Sequence, residues 1–258
     1  MHVHLGCLKT ALAAALLVVA GPSAAGTMIP FVDGGRPVPD GELPFLVDIE
    51  ARSLGSQAWL HGCGASMIAD DLVISAAHCF FNPQTGLPHE GVEWRLVFDR
   101  TDRSQPADQA VEGAGFSMVA HPRRDVVFIR LHAAREGAAT ARLPPVGVTP
   151  PAGLVATLAG WGFTENEVIP DRLHSVELPI VAPELCDVPY EHHSKQQGEF
   201  PRLCAGSPGK GSRAGDSGGP LFTRDPQSGA FVLRGIVSGG RPGYPGGYVN
   251  LADPDLWE

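Results

Sequence analysis

Short apolar or alternating runs recur along the chain: Phe45-Leu46-Val47-Asp48-Ile49, Leu72-Val73-Ile74-Ser75, Trp94-Arg95-Leu96-Val97-Phe98, Val126 to Leu131, Leu154 to Leu158 and Phe231 to Val237. Gly, Pro, Asp and Asn stand between them. Runs of this length, bounded by turn formers, predict strands. No long stretch has the period of an amphipathic helix. The 32 glycines and 24 prolines, more than a fifth of the 258 residues, supply the turn chemistry. The pattern therefore predicts an all-β fold, either a sandwich or a pair of barrels. One run is of a different kind. Lys9 precedes the apolar stretch Ala11 to Ala20, and Ser23-Ala24-Ala25 follows with small residues. Residues 1–25 thus read as a secretory signal peptide, too short for the roughly 20 apolar residues a bilayer span requires. The mature chain is expected to be secreted, extracellular or periplasmic, with no membrane attachment.

Charge narrows the partners. The formal net charge is −9, with no basic run, which argues against nucleic acid or an anionic membrane surface. Of five cysteines, Cys7 leaves with the signal. The other four fall in two close pairs, Cys63/Cys79 and Cys186/Cys204, and four cysteines allow three connectivities. His174 with His192-His193 has no recurring ligand spacing, so these read as a solvated loop and no metal is expected.

The chemistry concentrates in Gly215-Asp216-Ser217-Gly218-Gly219-Pro220. A serine between glycines has room around its Oγ, and neighbouring N–H groups can converge where an acyl intermediate carries its negative charge. Upstream lie Ala76-Ala77-His78-Cys79 and Asp125-Val126-Val127. His, then Asp, then Ser is one known chain order of a hydrolytic triad. The hexapeptide also satisfies G-x-S-x-G, the nucleophile elbow of α/β-hydrolases. That elbow needs a base after the serine and a helix behind it. No histidine follows Ser217, and Gly218-Gly219-Pro220 opens a helix poorly, while Leu221-Phe222 reads as strand.

From about Val32 to Trp257 the chain resembles the chymotrypsin/trypsin-like serine endopeptidases. The resemblance is carried by Val32-Asp33-Gly34-Gly35, Gly41-Glu42-Leu43-Pro44-Phe45, His61-Gly62-Cys63-Gly64-Ala65-Ser66, Ala76-Ala77-His78-Cys79, Asp125-Val126-Val127, Gly160-Trp161-Gly162, Leu203-Cys204-Ala205-Gly206, the Ser217 hexapeptide and Ile236-Val237-Ser238-Gly239. It implies two six-stranded antiparallel β-barrels with the active site in the cleft between them. The first barrel would span about 45–132, a Pro/Ala-rich crossover 133–151, and the second barrel 152–251.

The resemblance also implies roles. Ser217 is the nucleophile, His78 the general base and then acid, and Asp125 the group that orients His78. The N–H groups of Gly215 and Ser217 form the oxyanion hole. Ser238 supports the aspartate and lines the substrate's track. The disulfides are Cys63–Cys79 and Cys186–Cys204. The family's bridge beside the substrate pocket is missing, with Arg213 standing at its first cysteine. Activation would free Val32, whose amine pairs with Asp216, leaving residues 26–31 as a short propeptide of the zymogen; Phe31 and Asp33 depart from the usual basic and apolar residues there. His61 matches a position that contacts the aspartate beside the nucleophile in the inactive precursor, although a structural role fits it equally. Gly211 takes the pocket floor, Ser212 lies beside it, and Gly240 and Gly246 line the walls. An uncharged, open pocket of this kind suggests medium or large apolar side chains rather than strict tryptic specificity. Arg213 and Arg241, at the rim, are expected to point to solvent. Leu256-Trp257 resembles the start of the family's C-terminal helix.

The expected function is peptide-bond hydrolysis through an acyl-enzyme, by a monomer with no cofactor. Its partners would be protein or peptide substrates and protein inhibitors. The alternative is a catalytically silent relative that acts as a secreted binding protein.

Overall fold

Each of the six apolar runs falls on a strand, four of them overhanging it by one residue, in the computed structural model, which describes residues 35–164, 168–186, 202–240 and 244–258. The first half contains β1 (Arg36–Pro37), β2 (Leu46–Ser53), β3 (Leu60–Ala69), β4 (Leu72–Ser75), β5 (Val92–Val97), β6 (Ala110–Glu112), β7 (Phe116–Ala120) and β8 (Val127–Leu131). The second contains β9 (Val155–Gly160), β10 (His174–Val181), β11 (Leu203–Ala205), β12 (Pro220–Arg224), β13 (Phe231–Gly239) and β14 (Gly246–Asn250). Among the described residues the helical structure is confined to short 3-10 turns.

In the second half β9, β10, β11, β14, β13 and β12 pair in that order, and β12 returns to β9 to close a six-stranded antiparallel barrel. The first half follows the order β6-β5-β2-β3-β4-β8-β7. Its two end strands are consecutive in the chain. They are one strand broken at Gly113–Gly115, where a Cβ on Gly115 would lie 2.6 Å from the Val111 side chain. The sheet therefore curls, with the broken strand bridging β5 and β8. β1 pairs with β10, so the chain leading back toward Val32 starts on the second barrel.

Three apolar clusters hold this together. Val47, Ile49, Met67, Leu96 and Ile129 fill the first barrel, and Leu158, Leu178, Leu203 and Tyr248 fill the second. The third lies between them: Phe45, Ile74, Ala76 and Val126 meet Trp161, Phe222, Leu233 and Leu251. The Phe45 and Phe222 rings pack edge to face at 5.4 Å. The crossover is pinned to both halves, with Ala141 N–H donating to Met67 and Arg142 N–H donating to Phe231.

The C-terminal segment forms a single 3-10 turn, Pro254–Leu256, capped by Asp253. It still reaches the first barrel. The Trp257 ring packs on Phe128, and Arg124 donates to both Asp253 and Asp255. His174 departs from the expected solvated loop: it is buried in β10, with Nδ1 donating to the Arg172 carbonyl at 2.7 Å. Burial holds its imidazole below the ordinary histidine range. The signal segment, Val32, His192, His193 and Arg241 lie outside the described residues.

Candidate active site

β4 and β8 are paired with Ser75 opposite Val127. His78 follows the end of β4, in the turn Ala77–Cys79, and Asp125 stands just before β8. Antiparallel pairing thus delivers both side chains to the same end of the first barrel. The Cys63–Cys79 disulfide ties the histidine's turn to β3. Asp125 collects three donors. The His78 N–H reaches Oδ1 at 2.9 Å, while His78 Nδ1 and the Ser238 hydroxyl both reach Oδ2 at 2.7 Å. A carboxylate only accepts, so Nδ1 carries the proton, and in the neutral ring Nε2 is the basic nitrogen. Asp125 is buried and His78 is one-fifth exposed, so one end of the pair is dry and the other meets solvent. Ser238 comes from β13 of the second barrel, so the Asp125 site bridges both halves.

Ser217 lies in the turn before β12. Its carbonyl accepts from Gly64 N–H at 2.8 Å, and Gly218 N–H donates to Val237. Gly218 has φ +77°, and any Cβ there would collide with Ser75 and the Gly64 carbonyl. The same Cβ would stand 3.1 Å from Ala76 N. The turn carrying Ser217 is therefore pressed against the segment that carries His78. Only glycine permits that approach.

Gly215 has φ +93°, and its Cβ position lies 2.9 Å from the Gly162 Cα. Asp216 is fully buried. Its carboxylate accepts from Gly162 N–H and Arg213 N–H, each at 2.9 Å. A side chain on Gly160 or Gly162 would collide with that carboxylate, which explains the Gly160-Trp161-Gly162 motif physically. His61 is not placed on that carboxylate. Its Nε2 lies 2.9 Å from the Gly215 carbonyl oxygen and its Nδ1 2.6 Å from Asp48 Oδ1.

The structure also gathers Gly211, Ser212, Gly240 and Gly246. A Cβ on Gly240 would collide with the Ser212 carbonyl and hydroxyl, and one on Gly246 would meet the same hydroxyl. On Gly211 it would lie 2.8 Å from the Tyr244 carbonyl. Gly240 and Gly246 thus both close on Ser212, and glycine at these positions permits that approach. Beside them the Tyr248 ring is wholly buried, and burial pushes its phenol well above the usual range. The second disulfide, Cys186–Cys204, anchors the chain before this region to β11. Cys63, Cys79 and His78 lie close together, but the two sulfurs are bonded to each other, so they offer no thiolate to a metal.

Asp48, also buried here, is marked by no sequence motif. In Val47-Asp48-Ile49-Glu50 the alternation marks the acids as outward-facing, and nothing local signals that the outward face is covered.

Comparison with known proteins covers most of the chain. The family model described as Trypsin matches residues 32–257. Trypsin-1 of Astacus astacus is 31% identical over 238 residues, covering 85% of this chain and 94% of the relative. Tryptase of Mus musculus is 30% identical over 253 residues, covering 91% and 89%. Trypsin eta of Drosophila erecta is 28% identical over 236 residues, covering 85% of each.

Proposed function

Because the chain belongs to the trypsin family of serine peptidases, we propose that it is a secreted endopeptidase acting through an acyl-enzyme. The observation that carries this reading is the Asp125 carboxylate, which receives both His78 and Ser238 across the two barrels. Ser217 attacks the scissile carbonyl while His78 Nε2 takes its proton. The same nitrogen then protonates the leaving amine, and water repeats the sequence on the ester. Asp125 keeps the tautomer and stabilises the imidazolium. Gly215 and Ser217 N–H groups stabilise the oxyanion, a contribution of about 3–4 kcal/mol per donor in enzymes of this type.

The protein is made as a zymogen with a signal peptide over 1–25, and its mature form starts at Val32. The new amine pairs with Asp216, whose buried carboxylate makes such a pair a switch for the adjoining turn. Its partners are protein substrates and inhibitors, met outside the cell. Among the described residues no helix is long and apolar enough to cross a membrane.

A fluorophosphonate tests the reading directly. The matured protein, with Val32 as its first residue, is expected to be labelled at Ser217, and Ser217→Ala is expected to abolish labelling. Equal labelling of the two, or none, would overturn the assignment.

A further inference from the structure

Behind the nucleophile turn lies a second histidine–aspartate pair. Asp48 is on β2 and His61 on β3, and both side chains are wholly buried. Their meeting depends on an irregularity in the sheet. The β2–β3 register sets Ile49 opposite Cys63 but Glu50 opposite His61, so the ladder shifts by one residue at Gly62. Without that bulge His61 would stand opposite Ala51 and face the barrel interior with Ile49. With it, Asp48, Glu50 and His61 share the outward face, from which His61 reaches Gly215 of the second half.

Both ring nitrogens of His61 face atoms that accept. Asp48 Oδ1 lies 2.6 Å from Nδ1 and the Gly215 carbonyl 2.9 Å from Nε2. A carbonyl cannot donate, so the ring satisfies both partners as a two-donor cation paired with the carboxylate. Asp48 is held in turn. Its Oδ2 accepts from Arg100 at 2.6 Å, and Arg100 also donates to Glu50, which accepts from Arg95 at 2.6 Å. Arg103 adds a cation 3.6 Å from Asp48. Burial opposes charge on Asp48, but the charges and hydrogen bonds of His61 and Arg100 hold its carboxyl below the ordinary range. Burying such a network is costly in desolvation and yields little net stability. Its output is a single charge-assisted hydrogen bond to the Gly215 carbonyl.

That carbonyl occupies a telling place. The Gly215–Asp216 peptide lies in the chain between the Gly215 N–H and the Ser217 N–H, the two proposed oxyanion donors. Gly215, at φ +93°, has no side chain of its own to hold it. We propose that Asp48 and His61 are positioning residues that clamp this peptide and so aim both donors. The inference rests on the peptidase reading for its catalytic consequence, but the clamp itself can be read without activity.

The experiment uses the matured full chain with His61→Leu, His61→Gln and Asp48→Asn. The rate of fluorophosphonate labelling is expected to fall about 10- to 100-fold in His61→Leu, short of the roughly 100- to 1,000-fold that follows loss of a whole donor. For a peptide ester, kcat should fall with KM nearly unchanged. His61→Gln keeps one N–H for Gly215 and should recover most of the rate. A purely structural histidine would not give that split or that rescue. The Gly215 amide resonance, assigned in glycine-labelled protein, gives a second readout. It is expected to move and to exchange faster in His61→Leu and in Asp48→Asn. If His61→Leu does not fold, the other two variants carry the comparison. Labelling at the unmodified rate together with an unmoved Gly215 amide would overturn the clamp. A parent protein that is never labelled would overturn the peptidase reading instead, and the Gly215 amide alone would then decide the clamp.

Discussion

Asp125 does its work by being over-supplied with donors. Its two oxygens accept the His78 N–H, the His78 ring and the Ser238 hydroxyl. This locks the imidazole in one tautomer before any substrate arrives. Asp125→Asn should leave the fold intact while presenting an amide N–H where the ring needs an acceptor. In serine peptidases of the chymotrypsin type, that exchange lowers kcat about 10⁴-fold through the wrong tautomer. A loss of that order is expected here, with the unfolding midpoint near that of the parent protein, measured by single-turnover acylation and calorimetry. A loss below about tenfold would mean that the carboxylate does not direct His78.

At the scale of elements, the site is assembled by strand pairing and then fastened. Pairing of β4 with β8 brings His78 and Asp125 to one end of a ladder. The 3-10 turn carrying His78 is too short to hold its own geometry, having no side-chain cap. The Cys63–Cys79 bridge supplies that restraint across a sequence separation of 16. Replacing both cysteines with alanine should cost about 3 kcal/mol of stability in the loop-entropy account. Because the bridge ends on the residue after His78, activity should fall at temperatures well below the unfolding transition. Urea denaturation alongside an activity–temperature profile checks this. An unchanged activity profile would separate the bridge from the site.

For the molecule as a whole, the buried charges set the acid side of its stability. His174 has its folded value lowered by burial, so the folded state resists taking up its proton. Stability from this group is present above the ordinary value of 6.5 and declines as pH falls below it. Asp48 is lowered as well, so its contribution is present above its ordinary value of 3.8 and is lost as pH falls through its depressed folded value. Acid unfolding should therefore show an early decline and then a steeper one. Asp48→Asn is expected to be less stable at neutral pH and to lose the steeper stage, as followed by unfolding midpoints between about pH 7 and 2. If the variant and parent curves run parallel, Asp48 is not the group responsible. On the same scale, Trp257 on Phe128 and Arg124 on Asp253 and Asp255 staple the 3-10 turn after β14 to the first half.

Much of this was legible in the chain. The apolar runs mark strands because alternation is a local property of the backbone. The motifs around His78, Asp125 and Ser217 mark the chemistry because glycines and flanking residues must suit a close approach. Strands such as β3 and β10 were harder to see: Leu60-His61-Gly62-Cys63-Gly64 is rich in glycine, and His174–Val181 contains Pro179. The resemblance puts Gly240 and Gly246 on the walls of a substrate pocket, and a missing side chain makes room either for a ligand or for another backbone. Local sequence does not distinguish these, and here Gly240 meets Ser212. Asp48 and Glu50 carry the deepest lesson. By themselves the residues determined that these acids point away from the first barrel's interior, since side chains alternate along a strand. Only the tertiary structure decided that this outward face is dry, with Arg95, Arg100 and Arg103 folded against it and His61 reaching Gly215 of the second half, and a carboxylate without water must find its counter-charges in the protein.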